Sequence, residues 1–376
     1  MTKNRAWVMV GPKKIVMREF EIPEVTEDCA LMKVEACGIC GTDKHVYLGQ
    51  LPAEVPPYPF IAGHEMIGTI VELGKKANES MAVFGGTLGV GDRVALAPSS
   101  KTCGQCWYCL HMPQRPPFCM NRSFVYGFTP LDKNPNVWGG YSEYIYLFPK
   151  SYVFKIPKKM PMKRAVLIEP MATALRAVER AFNPGEPFMG HGYGVGSTTM
   201  VVGAGPIGLM TIAALRYTGA GFVIAQDLQA SRLDMAKHMG ADLLIDGNLP
   251  FEKRLMKVKE ATDGVGPDVV IEAAGAPAAF RESLDFVRRG GKLIEVGNFT
   301  NNGPTEIIPF YICQKDVDIH GSWGYPALIF SHVISMFERT RLPLEDFVTH
   351  VLTLDEVPKG LEITGTKEAG KVAIAP

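Results

Sequence analysis

A chain of 376 residues is long for one hydrophobic core, so length alone predicts two domains. Lys plus Arg and Asp plus Glu both number 39, and with a net charge of zero no basic surplus points to nucleic acid or an anionic membrane. The start, MTKNRAWVMVGPKK, has no apolar leader core, and 8 cysteines in such a chain point to metal ligands or free thiols rather than a disulfide framework, so a cytoplasmic location is expected.

In chain order, short apolar runs separated by Gly and Pro predict strands at Ala6–Val10, Ile15–Phe20, Leu31–Ala36, Glu65–Glu72, Arg93–Ala97 and Tyr141–Phe148. A helix is predicted over Lys163–Phe182. Strands then alternate with helices: Met200–Gly203, Phe222–Asp227, Leu243–Ile245, Asp268–Glu272, Lys292–Val296 and Asp318–His320, with helices such as Ser231–Met239 and Ala279–Val287 between them. Six strands with helical crossovers predict an α/β architecture with a doubly wound parallel sheet. Beyond Gly321 come helical stretches near Ala327–Arg339 and Leu354–Leu361 and a final strand, Lys371–Ala375. The expected division is a discontinuous β-rich domain, 1–170 with 321–376, and a domain of alternating strands and helices, 171–320.

The second domain opens on the strongest single stretch. An apolar run leads into Gly203-Ala204-Gly205-Pro206-Ile207-Gly208, an Ala/Leu-rich segment follows, and the next apolar run ends at Asp227. Strand, glycine turn, helix, strand, acid is the order a dinucleotide site requires. Gly203 permits the tight turn, Gly205 lets a pyrophosphate approach the backbone, and Gly208 lets helix and strand pack closely. Free N–H groups at the helix N-terminus favour the phosphates. Asp227 stands where a carboxylate accepts the adenosine ribose hydroxyls and repels a 2′-phosphate, which favours NAD; Arg232 is placed to contact the ribose or phosphate edge. Met200 to Leu215 is too short for a membrane span.

Metal-ligand chemistry concentrates in the first domain. Cys103, Cys106 and Cys109 lie in CGQCWYC, with Cys119 beyond. Four thiolates in one short loop close a tetrahedral zinc shell, a structural site; two disulfides or free thiols are the alternative. A second set is dispersed: Cys40, His64 and Glu169 bring thiolate, imidazole and carboxylate from separate segments, which suits a catalytic zinc with an open fourth position. Alone, His64 also reads as a surface or core histidine, and Cys37/Cys40 as a C-x-x-C redox pair.

The combination of GICGTDKH, GHE, CGQCWYC, IEPMATAL and VVGAGPIGL, in this order over nearly the whole chain, closely resembles the zinc-dependent alcohol dehydrogenases of the medium-chain dehydrogenase/reductase superfamily. Glu169-Pro170 stands where the liver-type enzymes have a cysteine, which places the resemblance nearer the polyol, glucose and threonine dehydrogenases. The resemblance implies a GroES-like catalytic domain and a Rossmann domain, one catalytic and one structural zinc, NAD, a small alcohol or carbonyl substrate, and a homodimer or homotetramer paired near Asp318–Ser322. It implies Cys40, His64 and Glu169 as ligands of the catalytic zinc, with Glu65 able to exchange roles with Glu169. Thr42 matches the hydroxyl that takes the substrate proton, and His45 the imidazole that passes it on. Thr173, Val296 and Ser322 match positions lining the nicotinamide half. The function expected is hydride transfer between a secondary, cyclic or polyol alcohol and NAD. The rivals are a relative that uses NAD transiently in a lyase or isomerase turnover, and a non-catalytic relative, which full retention of the site residues argues against.

The chain departs from the family in three loops. The last gap of the cysteine loop is longer than usual, and insertions fall between Leu73 and Gly91 and at Phe188–Ser197, where they alter surfaces rather than chemistry. His191 in the second insertion reads as part of an exposed glycine-rich loop. Cys29, Cys37 and Cys313 need no function. Ser99, Asn298, Phe299, Trp323 and Trp138 are expected to line a roomy substrate pocket.

Overall fold

The computed structural model describes residues 3–50, 58–133, 136–182, 193–367 and 369–376. Two compact units emerge, Met1–Glu169 with Tyr325–Glu338 and Leu344–Pro376, and Pro170–Gly324 with Arg339–Pro343. His191 and the first residues of the second insertion lie outside the described residues.

The first unit is built on β-sheet. Ala30–Gly38 is its hub, pairing antiparallel with Glu65–Leu73, Tyr144–Leu147 and the last strand, Lys371–Ala375. The eight-stranded sheet also holds Val348–Thr353, Arg93–Ala97, Tyr152–Lys155 and Ala82–Phe84, while Lys3–Gly11, Lys14–Glu21 and Phe60–Ile61 form a three-stranded sheet. Inward residues such as Met32, Ile70, Leu96, Val153 and Ile374 share one core, which gives the alternating pattern its physical cause. The expected strand Tyr141–Phe148 shortens to Tyr144–Leu147, because Ser142 spends its hydroxyl on the carbonyls of Gly139 and Tyr144 at 2.8 Å each. The first insertion carries a short helix, Ala77–Ser80, and the strand Ala82–Phe84.

The second unit has a six-stranded parallel sheet. Its order is Leu243–Asp246, Phe222–Asp227, Thr198–Val202, Val269–Glu272, Lys292–Glu295, Asp318–Gly321. All four residues of Val269–Glu272 are buried, as helices on both faces of a parallel sheet demand. Met200, Ile224, Val270 and Leu293, one from each of four strands, meet in the core. The order reverses between Thr198–Val202 and Val269–Glu272, so a crevice opens at their carboxyl ends. The helix expected over Lys163–Phe182 is two, Met162–Ala165 and Ile168–Ala181. Pro170 has no N–H to offer the carbonyl of Val166, so a continuous helix would lack that bond. Among the described residues no helix is long and apolar enough to cross a membrane.

Candidate metal centres and dinucleotide site

Cys103, Cys106, Cys109 and Cys119 bring their four sulfurs within 4.8 Å of one another. Gly104, at φ +75°, turns the chain back so that the N–H of Cys106 reaches the Cys103 sulfur at 3.4 Å. The N–H of Cys103 donates to Cys119 Sγ at 3.3 Å, and Cys109 Sγ lies 3.5 Å from Cys106 Sγ. Backbone N–H donors, from Gln105 first, pull the Cys103 thiol down to about 6, while burial and its neighbour Cys106 push Cys109 up to about 11. All four cysteines are free. Sulfur-only donors in this arrangement fit a closed zinc shell.

The second cluster is assembled from distant segments. Cys40 immediately precedes the helix Gly41–Tyr47, His64 immediately precedes the strand Glu65–Leu73 and Glu65 opens it; their donor atoms lie within 4.8 Å of one another. His64 and Glu65 are buried, at 6% and 1% exposed. Asp43 organises the group. It accepts the Cys40 N–H at 3.0 Å and the Tyr141 hydroxyl at 2.7 Å, and its other oxygen faces His64 Nδ1 at 3.4 Å. Burial works against the Asp43 charge, but His64 and these donors hold its carboxyl below the usual range. An Nδ1 turned to a carboxylate leaves Nε2 for a metal. The Phe128 ring packs on His64 with centroids 4.9 Å apart.

Glu65 and Glu169 differ in what holds them. Both Glu65 oxygens accept from Lys371 Nζ, at 2.5 and 2.6 Å, in a pair 1% and 3% exposed. Glu169, 8% exposed, stands outside the 4.8 Å cluster and accepts the Tyr325 hydroxyl at 2.5 Å. Burial, together with the like charge of Glu65, pushes its carboxyl up to about 7. Three acids and a thiol share one place with Lys371 and His64, and this thiol, imidazole and carboxylate donor set fits zinc. Thr42 and His45 follow on the helix, three residues apart and so on one face. Thr42 Oγ1 is 3.6 Å from Cys40 Sγ, and His45 Nδ1 is 2.7 Å from Gln50 Oε1.

In the second unit, Gly203 adopts φ +94°, and a Cβ there would meet the Ala274 nitrogen at 2.6 Å. A Cβ on Gly205 would meet nothing within 4 Å, so the turn leaves open space where a phosphate approaches. Pro206 begins the helix Pro206–Tyr217, followed by Ile207 and Gly208. Asp227 accepts the Ala204 N–H at 2.7 Å and the Gln229 N–H at 2.9 Å, with Arg232 at 3.9 Å. It therefore braces the glycine turn, a role the sequence did not suggest. Val296 and Ser322 follow the ends of neighbouring strands, and Thr173 lies half-buried in the helix Ile168–Ala181.

Two expected pocket residues are used elsewhere. Trp138 is 4% exposed, stacks on Phe148 at 4.0 Å and donates its indole N–H to Lys133, so it belongs to the core. Ser99 accepts from Arg122 at 3.0 Å. Of Asp43, Tyr141, Tyr325 and Lys371, only Asp43, three residues after Cys40, carries a local sequence signal, in the capping spacing.

Comparison with known proteins agrees with this chemistry. Residues 26–158 match the family described as alcohol dehydrogenase GroES-like domain, and residues 206–339 match zinc-binding dehydrogenase. The chain is 34% identical to a sorbitol dehydrogenase of Bacillus subtilis over 376 residues, covering 99% of this chain and 97% of that one. It is 31% identical to an erythritol/L-threitol dehydrogenase of Mycolicibacterium smegmatis, covering 100% and 98%. Among solved structures, an alcohol dehydrogenase of Thermotoga maritima superposes with a TM-score of 0.90 at 30% identity over 100% of both chains. The chain belongs to the zinc-dependent alcohol dehydrogenases of the medium-chain dehydrogenase/reductase superfamily, in the polyol and threonine dehydrogenase branch. It is an oxidoreductase of alcohols that uses zinc and a nicotinamide dinucleotide. None of these relatives favours the lyase or isomerase alternative.

Proposed function

We propose that the chain oxidises a secondary alcohol, cyclic or polyhydroxylated, with NAD, giving the ketone. The observation that carries this reading is the convergence of Cys40, His64 and Glu65 within 4.8 Å beside the Thr42 hydroxyl. Cys40 and His64 hold the catalytic zinc, with Glu169 as third ligand and Glu65 able to exchange with it; Cys103, Cys106, Cys109 and Cys119 hold the structural zinc. Zinc supplies Lewis acidity that lowers the pKa of the alcohol, and NAD supplies the acceptor for hydride. Thr42 takes the hydroxyl proton and His45, with Gln50 on its Nδ1, passes it to solvent. Asp43 faces His64 Nδ1 at 3.4 Å and favours the proton there. Lys371 offsets the charge of Glu65, so that Glu169, which among the described residues accepts from the neutral Tyr325 hydroxyl, is the carboxylate free to serve the metal.

Gly203, Gly205, Pro206, Ile207 and Gly208 cradle the pyrophosphate, Asp227 and Arg232 face the adenosine ribose, and Thr173, Val296 and Ser322 line the nicotinamide half. Asp227 supports NAD over NADP. The polyol relatives support a polyhydroxylated substrate. The zinc domain spans 1–170 and 321–376, the dinucleotide domain 171–320, and the enzyme works in the cytoplasm. Ile308, Phe310, Tyr311 and Ile319 are exposed near the edge strand Asp318–Gly321, which supports pairing of that edge with a second copy as a homodimer or homotetramer. The test is NADH formation by the zinc-replete protein against aliphatic, cyclic, polyol and amino alcohols, offering NAD and NADP separately. Turnover confined to one alcohol class with NAD is expected. Preference for NADP overturns the role of Asp227, and silence with every alcohol overturns the substrate reading.

A further inference from the structure

The carboxyl edge of the parallel sheet holds two acids that the reaction does not use. Glu272 and Glu295 end adjacent strands and stand in register. Glu272 is 0% exposed; Glu295 is half-buried, with an Oε2 shielded from solvent and lacking any donor. The other oxygens are served. Glu272 accepts the N–H groups of Ala274 at 2.8 Å and Gly275 at 3.0 Å. Glu295 Oε1 accepts the Asn298 N–H at 2.8 Å. The Asn298 amide spans both acids, at 3.4 Å from Glu272 and 3.3 Å from Glu295.

Among the described residues no cation pairs with either acid. Their in-register neighbours are Val202 on one side and Gly321 on the other. On the helix Pro277–Phe286, Arg281 pairs with Asp285 and Glu282 with Arg254. His320, one residue out of register on the outer strand, meets Arg180 at 3.3 Å. Lys292, at the far end of the strand that carries Glu295, donates to the Phe182 carbonyl, and Arg288 pairs with Asp268 at the foot of the Glu272 strand. The segment from Asn298 to Thr305 contains no ionisable residue.

Two carboxyls on adjacent strand ends, bridged by one Asn298 amide and without a cation, do not both stay ionised when one is fully buried. Burial first, and Glu295 second, push the Glu272 carboxyl up to about 8. One proton held between them supplies the donor that Glu295 Oε2 lacks. The backbone around the pair is the segment next to the nicotinamide positions. Val296 and Gly297 both donate to the Glu272 carbonyl at 3.0 Å, and Ser322 donates to the Glu295 carbonyl at 2.8 Å.

We infer that Glu272 and Glu295 are positioning residues of the dinucleotide site, which hold Val296, Gly297 and Asn298 in their binding geometry through one shared proton. The inference rests on the dinucleotide reading above. Because the folded value is raised, the clamp is complete below about pH 8 and is lost as pH rises through it, when two like charges separate the strand ends. A cleft of about 300 Å³ lined by Pro277, Phe280, Glu295, Asn298, Thr300 and Asn302 borders the pair on the Glu295 side.

The test is the NADH dissociation constant of the zinc-loaded protein from pH 6 to 9.5, measured by fluorescence for the wild type and Glu295→Gln. Wild-type affinity is expected to fall about tenfold between pH 7 and 9. The variant, whose amide donates at every pH, loses that component, and ionisations at the zinc centre are common to both proteins. An unchanged slope in the variant overturns the inference. Infrared titration of the wild type adds a readout that needs no variant: a protonated-carboxyl band must disappear with a midpoint near pH 8. Absence of such a band overturns the shared proton, whereas failure to bind NADH at any pH overturns the dinucleotide reading itself.

Discussion

The two candidate metal centres of the molecule are built in opposite ways. In the loop from Cys103 to Cys119, four sulfurs approach one another through short backbone turns, with Trp107, Leu110 and Met120 exposed around them. Little apolar burial holds that loop, so the metal itself supplies much of its order. The centre at Cys40, His64 and Glu65 is instead a product of the sheet. Its donors are tied by Asp43, Tyr141 and Lys371, all buried, and these belong to the same core as the strands. A site held by its scaffold keeps its shape when the metal leaves; a site held by its metal does not.

The sharpest way to break this contrast is to remove one sulfur from each region. Cys40→Ser should lose one equivalent of zinc and lower kcat/KM on the order of a thousandfold, since the Lewis acid contributes several kcal/mol. Its melting temperature should stay within a few degrees of the wild type. Cys106→Ser should also lose one equivalent, but with a clear fall in melting temperature and new proteolysis between Cys103 and Cys119. Zinc analysis with calorimetry reads both. A Cys40→Ser protein that melts early, or a Cys106→Ser loop that stays protected, reverses the comparison.

Next in size is the scaffold. Lys371→Met leaves Glu65 buried without its partner, and breaking such a pair costs about 3–5 kcal/mol, read as a lower urea midpoint. Adding Glu65→Gln should restore part of that loss, because the stranded charge goes with it. Tyr325→Phe removes a single hydroxyl from Glu169 and should speed zinc release to a chelator by about tenfold to a hundredfold, with little change in urea stability. Unchanged zinc release would assign Glu169 a role away from the metal.

The same contrast in locality explains what the sequence made legible. The cysteine loop and the turn Gly203–Gly208 are each written within a few residues, and both could be read without a fold. The parallel, doubly wound character of the second sheet followed from strands alternating with helices; its strand order did not. Asp43 was visible in principle, because its spacing from Cys40 is that of a cap. Lys371 and Tyr325 had no such signal. Tyr325 reaches Glu169 and Lys371 reaches Glu65 from the far end of the chain, and the pairing of Lys371–Ala375 with Ala30–Gly38 brings the lysine there. Trp138 shows the converse error: an aromatic residue near a predicted site was assigned to the pocket, when burial on Phe148 satisfies it.

Local encoding makes one last, smaller effect separable from folding. Gly205 and Gly208 look alike in the motif, yet a Cβ on Gly208 would collide with the carbonyl of Gly203, whereas one on Gly205 points into empty space. Gly208→Ala should therefore destabilise the second unit by about 1–3 kcal/mol, as overpacking does. Gly205→Ala should leave the melting temperature unchanged and weaken NADH about tenfold, roughly 1.4 kcal/mol, because the space it fills is the space a phosphate needs. Titration of NADH against both variants, alongside calorimetry, separates the two. If Gly205→Ala binds NADH as the wild type does, the pyrophosphate does not lie over this turn, and the open space at Gly205 has another cause.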